Sequence, residues 1–366
     1  MTDADSRASD QQIVLLQQVL QAELVALERL GAIGRALQPA SLADLATAGG
    51  EAEAALRRDV GRCRSTEWPD ALAGLVGLID QAADELINAF DGLAFAAEHP
   101  EAMLQAYRAL RYAPRAAEAL YPLAASFAPV NRYFIDERLR DDTALAERLM
   151  QADRSRGDSG LVHASNEKHQ RGGFSLYVPE TYDPAHPHAL VVALHGGSGH
   201  GRAFLWSWLR QARSRNTILL SPTSMQGTWS LMQPEVDGRN IVAMLDHLGE
   251  RLNIDAERVL LTGMSDGGTF SYLCGLAPGT RFTHLAPIAA SFQPLLLEFI
   301  DRKLLAERPI YLTHGALDWM FPVQMARQAQ AALTAAGGRV HYAEVPDLSH
   351  TYPVEQNMEI LDWFLD

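Results

Sequence analysis

The residues at positions 263–268, Gly-Met-Ser-Asp-Gly-Gly, have the types and spacing of a serine nucleophile. They follow an apolar run, 258–262, that has the composition of a buried strand, and they precede residues 269–276, which begin a helical pattern. A serine on a sharp turn between a strand and a helix presents its hydroxyl clear of the sheet, and the close approach of the two elements leaves room only for glycine beside it. The alternative is an ordinary serine in a glycine-rich loop. The strand–turn–helix context favours Ser265 as a nucleophile.

A serine nucleophile requires a base that takes its proton and a carboxylate that orients the base. Asp318 follows residues 308–313, which form another apolar strand pattern. His350 lies in a loop between the alternating pattern of residues 339–346 and a last helical segment. In this order, nucleophile, acid and then histidine, the three residues resemble the triad of α/β-hydrolases. We therefore predict a triad of Ser265, Asp318 and His350.

Three rival residues lie close to the predicted acid and base in the sequence. Asp347 is in the same loop as His350, whereas the acid is expected after a different strand. His341 lies within a strand pattern, which is typical of a half-buried structural histidine, and His314 neighbours the acid, where a turn residue is expected. These positions favour Asp318 and His350 over the rivals.

A glycine-rich loop at residues 195–201, His-Gly-Gly-Ser-Gly-His-Gly, follows the apolar strand pattern of residues 189–194. Glycines allow the main chain to approach a developing oxyanion closely, and the residue after the nucleophile supplies a second N–H donor. We predict that the backbone N–H groups of Gly197 and Asp266 form an oxyanion hole. The alternative is a phosphate-binding loop, but neither a Lys-Ser/Thr pair nor the Gly-x-Gly-x-x-Gly spacing supports it.

From about residue 172 to residue 366, the chain resembles an α/β-hydrolase of the esterase group. This group includes the phospholipase/carboxylesterase, dienelactone-hydrolase-like and polyhydroxybutyrate-depolymerase-like families. The sharp turn that carries Ser265, residues 263–268, is called the nucleophile elbow. The resemblance rests on four segments in the expected order: Leu-His-Gly-Gly at 194–197, the elbow with its preceding strand at 258–268, His-Gly-Ala-Leu-Asp at 314–318, and Ser-His at 349–350.

The resemblance implies an α/β-hydrolase fold, a mostly parallel sheet flanked by helices, and a serine esterase that needs no cofactor. Trp229 resembles a substrate-pocket tryptophan of these esterases, although a core position is nearly as well supported. Asp266 departs from the pattern, because many relatives carry an uncharged residue there. The first 170 or so residues lie outside the resemblance.

Residues 13–151 are rich in Ala, Leu, Glu, Gln and Arg, and apolar residues recur at helical spacing. We predict an all-helical domain here, which serves as a cap over the substrate pocket or as a homo-oligomer interface, because its amphipathic helices must bury one stripe. Residues 1–12 are expected to be a disordered N-terminus. Residues 152–171, which are polar and glycine-containing, are expected to be a linker, and residues 172–366 the catalytic domain.

The composition narrows the choice of partners. The chain has 366 residues, 48% of them hydrophobic and 21% charged, and a formal net charge of −14, which disfavours nucleic acid and anionic membranes as partners. Its two cysteines suggest neither a disulfide framework nor a metal site. The acidic N-terminus is unlike a secretory signal, and no apolar run is long enough to span a bilayer, so we expect a cytoplasmic protein.

These observations predict a serine hydrolase that cleaves a small-molecule carboxylic ester through an acyl-enzyme intermediate, with no cofactor and no metal. One alternative is a peptidase or amidase of the same fold, which the sequence does not separate from an esterase. Another is a non-catalytic binding protein on a hydrolase fold, which the intact triad disfavours. The acyl chain length and the alcohol are not determined by the sequence.

Overall fold

The computed structural model describes residues 9–153, 155–298 and 300–366. The chain divides into two compact units, Met1–Gln151 and Ala152–Asp366. The first unit is helical and the second contains a mostly parallel sheet flanked by helices, so the predicted fold class is confirmed.

In residues 9–151, the described part of the first unit, eight α-helices follow one another with short connections. Helix α1 buries residues that recur at helical spacing, Leu16, Val19, Leu20, Leu24 and Leu27, although Ile13 at its start is exposed. The described residues contain no helix that is both long and apolar enough to cross a membrane. The bounds are α1 Asp10–Ala36, α2 Leu42–Ala46, α3 Gly50–Arg64, α4 Ala73–Glu98, α5 Ala102–Leu110, α6 Tyr112–Leu120, α7 Ala128–Tyr133 and α8 Thr143–Gln151.

The expected disorder of residues 1–12 is wrong for the last part of that segment. The side chain of Ser9 accepts the N–H of Gln12 at 3.3 Å, and the side chain of Gln12 accepts the N–H of Ser9 at 2.7 Å. This reciprocal capping box satisfies two backbone donors, and the helix therefore begins at Asp10. Residues 1–8 lie outside the described residues. The role expected of residues 13–151, as a cap or an interface, stays a prediction.

The described residues of the second unit form an eight-stranded sheet in the order β1-β2-β4-β3-β5-β6-β7-β8. Strand β2 is antiparallel to β1 and to β4, and the remaining neighbours are parallel. The strands are β1 Gly160–Ala164, β2 Phe174–Val178, β3 His188–Leu194, β4 Ile218–Pro222, β5 Ile254–Met264, β6 His284–Ile288, β7 Ile310–Gly315 and β8 Val340–Val345. The helices are α9 Gly201–Phe204, α10 Leu209–Ser214, α11 Glu235–Gly249, α12 Asp266–Gly275, α13 Arg302–Glu307, α14 Val323–Ala335 and α15 Gln356–Leu365.

The central strands are the predicted apolar runs. Residues 190–194 of β3 and residues 259–262 of β5 are buried, as expected where helices cover both faces of a parallel sheet. Parallel strands place their carboxyl ends at one edge of the sheet. The loops that follow β3, β4, β5, β7 and β8 therefore meet at that edge, which we call the catalytic edge.

The predicted linker, residues 152–171, contains strand β1 and so differs from the expectation. Residues 160–164 pair with β2 at the end of the sheet, from Gly160 opposite Val178 to Ala164 opposite Phe174. An edge strand of this kind is only partly buried, which explains why its sequence lacks an apolar run. Residues 165–173 form the loop of this hairpin rather than a tether.

Candidate active site

Ser265 lies between β5 and α12 in a strained backbone conformation, with φ +55° and ψ −118°. Its N–H donates to the carbonyl of Ile288 on the neighbouring strand at 2.9 Å. A Cβ atom at Gly263 would lie 2.6 Å from the backbone of Gly267, and one at Gly267 would lie 2.5 Å from the carbonyl oxygens of Leu194 and His195. Glycine is therefore required on both sides of Ser265 by direct backbone contact.

The three predicted triad residues lie together at the catalytic edge. The Oγ atom of Ser265 is 3.0 Å from Nε2 of His350, and Nδ1 of His350 is 2.8 Å from Oδ2 of Asp318. All three residues are buried. Because a carboxylate accepts, Nδ1 of His350 carries a proton, and Nε2 is then free to accept the proton of Ser265.

Backbone donors hold the carboxylate of Asp318. Its Oδ1 atom accepts the N–H groups of Met320 at 2.9 Å and Phe321 at 2.7 Å, while Oδ2 faces His350. The ring of Phe321 also packs edge-on against the ring of His350, with the centroids 5.2 Å apart. The loop after β7 thus orients both the acid and the histidine.

The rivals lie where they cannot replace these residues. Nε2 of His314 donates to the carbonyl of Phe321 at 2.8 Å and is 3.5 Å from Oδ2 of Asp318, so the ring supports the acid loop from the core. Burial lowers the pKa of His314, which keeps the ring neutral beside the carboxylate. His341 stacks on Tyr311, and Asp347 is exposed.

The loop after β3 lies against the nucleophile. A Cβ atom at Gly196 would lie 3.5 Å from Cβ of Ser265, and one at Gly197 would lie 2.8 Å from Oδ2 of Asp266. Asp266 is the first residue of α12, and N–H groups in a first turn have no acceptor within the helix. Gly197 and Asp266, the predicted oxyanion donors, are therefore close to each other beside Ser265.

The ring of His195 braces this loop. Nε2 accepts the N–H of Ser224 at 3.1 Å, so the proton is on Nδ1, which donates to the carbonyl of Gly196 at 2.7 Å. The indole N–H of Trp229 donates to the carbonyl of His195 at 2.7 Å, and its ring stacks on Phe270. The expectation that Trp229 lines the substrate pocket is thus corrected: it is 2% exposed and supports the loop from the core.

The carboxylate of Asp266, the residue at which the sequence departs from the family pattern, has a hydrogen-bond partner that the sequence did not reveal. Oγ1 of Thr228 donates to Oδ2 of Asp266 at 2.5 Å, which ties the loop after β4 to the elbow. Thr228 and His195 were missed as site residues because each lies far in sequence from its partner. Within the residues described, no cluster of three His, Cys, Asp or Glu side chains forms a metal site.

Part of the chain is similar to known esterases. Residues 237–366 match the family model described as Phospholipase/Carboxylesterase. Feruloyl esterase C of Emericella nidulans is 27% identical over 116 residues, which cover 30% of this chain and 43% of the relative. A bifunctional acetylxylan esterase/xylanase of Neocallimastix patriciarum is 26% identical over 188 residues, 50% of this chain and 26% of the relative.

The chain thus spans less than half the length of these two relatives. Among solved structures, a thermostable esterase aligns with a TM-score of 0.46 and 20% identity over 57% of this chain and 62% of that chain. The matched residues lie within the unit Ala152–Asp366, whose mostly parallel sheet flanked by helices is the α/β-hydrolase fold, and the relatives it resembles are esterases.

Proposed function

We propose that this protein hydrolyses carboxylic esters by two-step acyl transfer, with Ser265 as the nucleophile. His350 is the general base and Asp318 orients it, while the N–H groups of Gly197 and Asp266 bind the oxyanion. The observation that carries the proposal is the chain of two hydrogen bonds, 3.0 Å from Ser265 to His350 and 2.8 Å from His350 to Asp318. These lengths lie within the range that proton transfer requires.

In the first step, Nε2 of His350 takes the proton of Ser265 as Oγ bonds to the ester carbonyl carbon. The negative charge that develops on the carbonyl oxygen is stabilised by the two backbone donors, one in the loop after β3 and one at the start of α12. The carboxylate of Asp318 stabilises the imidazolium ion. The imidazolium then gives its proton to the alkoxide oxygen of the leaving alcohol as the C–O bond breaks, which leaves an acyl-enzyme.

In the second step, His350 takes a proton from water as the water oxygen attacks the acyl carbon, and it returns this proton to Oγ of Ser265 when the acid departs. The bonds formed and broken balance without any oxidant, metal or cofactor among the reactants. The strained backbone at Ser265 keeps Oγ at the position from which both acyl-transfer steps begin.

Labelling with a fluorophosphonate probe tests the nucleophile directly. We expect stoichiometric labelling of the wild-type protein and none of Ser265→Ala. The matched control variant is Ser271→Ala, because Ser271 is a buried serine in α12 whose hydroxyl donates to the carbonyl of Gly268. Labelling of Ser265→Ala to the wild-type extent, or a wild-type protein that resists the probe, would contradict the proposal and favour a binding protein.

The substrate class is tested with a panel of p-nitrophenyl esters from acetate to palmitate, beside an aminoacyl-anilide. The two curated relatives are named for feruloyl and acetylxylan esters, so methyl ferulate and acetylated xylan belong in the panel. Turnover of the esters with kcat/KM at least about tenfold above the anilide, a difference of about 1.4 kcal/mol in activation free energy, would support an esterase. The reverse order would favour the peptidase alternative.

A further inference from the structure

The hairpin loop 165–173 lies at the catalytic edge, although the sequence placed it in a linker. We propose that Arg171 in this loop is a positioning residue that holds the oxyanion hole in its working geometry. This inference rests on the proposed function, because it concerns the same oxyanion hole. Arg171 is separated from Ser265 by most of the sheet in sequence, and no catalytic motif contains it.

Topology brings the hairpin loop to this edge. Strand β2 is antiparallel to β4, and Phe174 at the start of β2 pairs with Pro222 at the end of β4. The loop that precedes β2 therefore lies beside the loop that follows β4. Backbone hydrogen bonds join them: the N–H of Thr223 donates to the carbonyl of Gly173 at 2.8 Å, and the N–H of Gly172 donates to the carbonyls of Thr223 at 3.2 Å and Ser224 at 3.3 Å.

The guanidinium group of Arg171 bridges two loops. Nη1 donates to the carbonyl of Gly199 in the loop after β3 at 2.7 Å. Nε donates to the carbonyl of Gln226 in the loop after β4 at 2.8 Å, and Nη2 donates to the same carbonyl and, at 2.5 Å, to Oγ of Ser224. A planar guanidinium group presents several donors in a fixed fork, which a lysine ammonium cannot reproduce.

The two loops that Arg171 joins contain the groups next to the oxyanion donors. Gly199 is two residues beyond Gly197, and the intervening Ser198 donates its N–H to the carbonyl of Gly227 at 2.9 Å. Thr228, the next residue, donates to the carboxylate of Asp266. Arg171 is therefore linked to Asp266 through the loop after β4 and the hydrogen bond of Thr228, and to Gly197 through Gly199 and Ser198, which follow Gly197 in the chain.

The loop after β3 needs external support, because Ser198 has φ +55°, a conformation that a residue with a side chain rarely adopts. Without Arg171, the carbonyls of Gly199 and Gln226 lose a charged donor, and the loop can relax. Relaxation would move the N–H of Gly197 away from the oxyanion position without changing the groups that bind the ground-state ester. The effect should therefore fall on kcat rather than on KM.

The test compares Arg171→Ala and Arg171→Lys with Arg156→Ala. Arg156 is a matched control, since its guanidinium group also donates to a backbone carbonyl, that of Tyr182 at 3.0 Å, and to Asp158. Tyr182 precedes β3, at the opposite edge of the sheet from Ser265. Steady-state kinetics with p-nitrophenyl acetate, thermal unfolding and inhibition by phenylboronic acid are measured for each variant.

We expect Arg171→Ala to lower kcat by about 10- to 100-fold, less than the loss of a whole oxyanion donor, with KM changed by less than about threefold. The inhibition constant of phenylboronic acid should rise by a similar factor, because its tetrahedral adduct with serine places an oxygen in the hole. Arg171→Lys should lie between Ala and the wild type. Arg156→Ala should keep the wild-type kcat, even where its melting temperature falls as far as that of Arg171→Ala.

A kcat for Arg171→Ala within twofold of the wild type, or an equal loss in Arg156→Ala, would overturn the proposal. If Arg171→Ala does not fold, Arg171→Lys decides the matter, and a wild-type kcat and boronate affinity in that variant would count against positioning. Failure of the proposed function has a different signature, because the wild-type protein itself would then hydrolyse none of the esters.

Discussion

The substitution Gly267→Ala tests whether the elbow geometry at Ser265 depends on direct backbone contact. A Cβ atom at this position would lie 2.5 Å from the carbonyl oxygens of both Leu194 and His195. A carbon–oxygen contact normally requires about 3.2 Å or more, so the backbone of β3 or of α12 must move by roughly 0.5–1 Å. Either movement separates Ser265 from the loop after β3.

The magnitude follows from that displacement. A misplacement of about 1 Å at a reacting centre costs about 10²-fold in rate, and we expect kcat to fall by this factor. Overpacking costs about 1–3 kcal/mol, which for a unit of this size lowers the melting temperature by about 2–12 °C. The assay is kcat for p-nitrophenyl acetate, together with thermal unfolding by circular dichroism.

Gly227→Ala is the matched control. Gly227 lies in the loop after β4, and a Cβ atom there would have no heavy atom within 4 Å. We expect this variant to keep the wild-type kcat and melting temperature. If Gly267→Ala retains more than about half of the wild-type kcat, a value far from the 10²-fold loss expected for a 1 Å shift, then the contact reasoning is refuted.

Three further predictions concern titratable groups. Asp318→Asn keeps an acceptor for the loop N–H groups but presents an amide donor to His350, so the ring should hold its proton on the nitrogen that faces the serine. We expect kcat to fall by about 10⁴-fold while the melting temperature stays nearly unchanged. A loss of kcat below about tenfold would contradict the orienting role of Asp318. Burial lowers the pKa of both His200 and His314, so the unfolded chain binds protons that the folded chain excludes, and stability that is present above about pH 6.5 is lost as the pH falls. Calorimetry should show that stability falls at acid pH, and stability should fall less steeply with pH in His200→Asn, which keeps an N-cap acceptor. Equal slopes of stability against pH in the two proteins would exclude His200 as a contributor. In the helical unit, burial raises the pKa of Glu23, and neither carboxylate oxygen has a hydrogen-bond partner among the described residues, so stability should fall as the pH rises above about 4.5. Glu23→Met should raise the free energy of unfolding of that unit by about 1–3 kcal/mol at pH 8 and by less at pH 4.5, as measured by denaturant unfolding. A variant that is less stable than the wild type at pH 8 would show that the carboxylate has a stabilising partner.

Much of the fold could be predicted from local pattern. The apolar runs at residues 189–194 and 258–262 correspond to buried strands, since a strand covered on both faces has no polar positions. The helical composition of residues 13–151 likewise corresponds to a helical unit. Strand β1 was missed, because an edge strand is half-exposed and lacks an apolar signal.

The sequence by itself also determined which residues could form the candidate site. Gly-x-Ser-x-Gly after a strand, an acid after a later strand pattern and a histidine before the last helix are local features, because each follows from where a strand ends. Ser265, Asp318 and His350 could therefore be named without knowledge of how the strands are ordered.

Only the tertiary structure decided what supports these residues. The positions of Arg171, His195 and Thr228 depend on which loops meet at the catalytic edge, and that follows from the antiparallel pairing of β2 with β4 and from the sheet order. The position of β4 beside β3 likewise decided that Trp229 supports a loop from the core, a role that its local sequence does not reveal. Hydrogen bonds between residues far apart in the chain leave no periodic or spacing signal in a single sequence, because either partner alone is compatible with many neighbours.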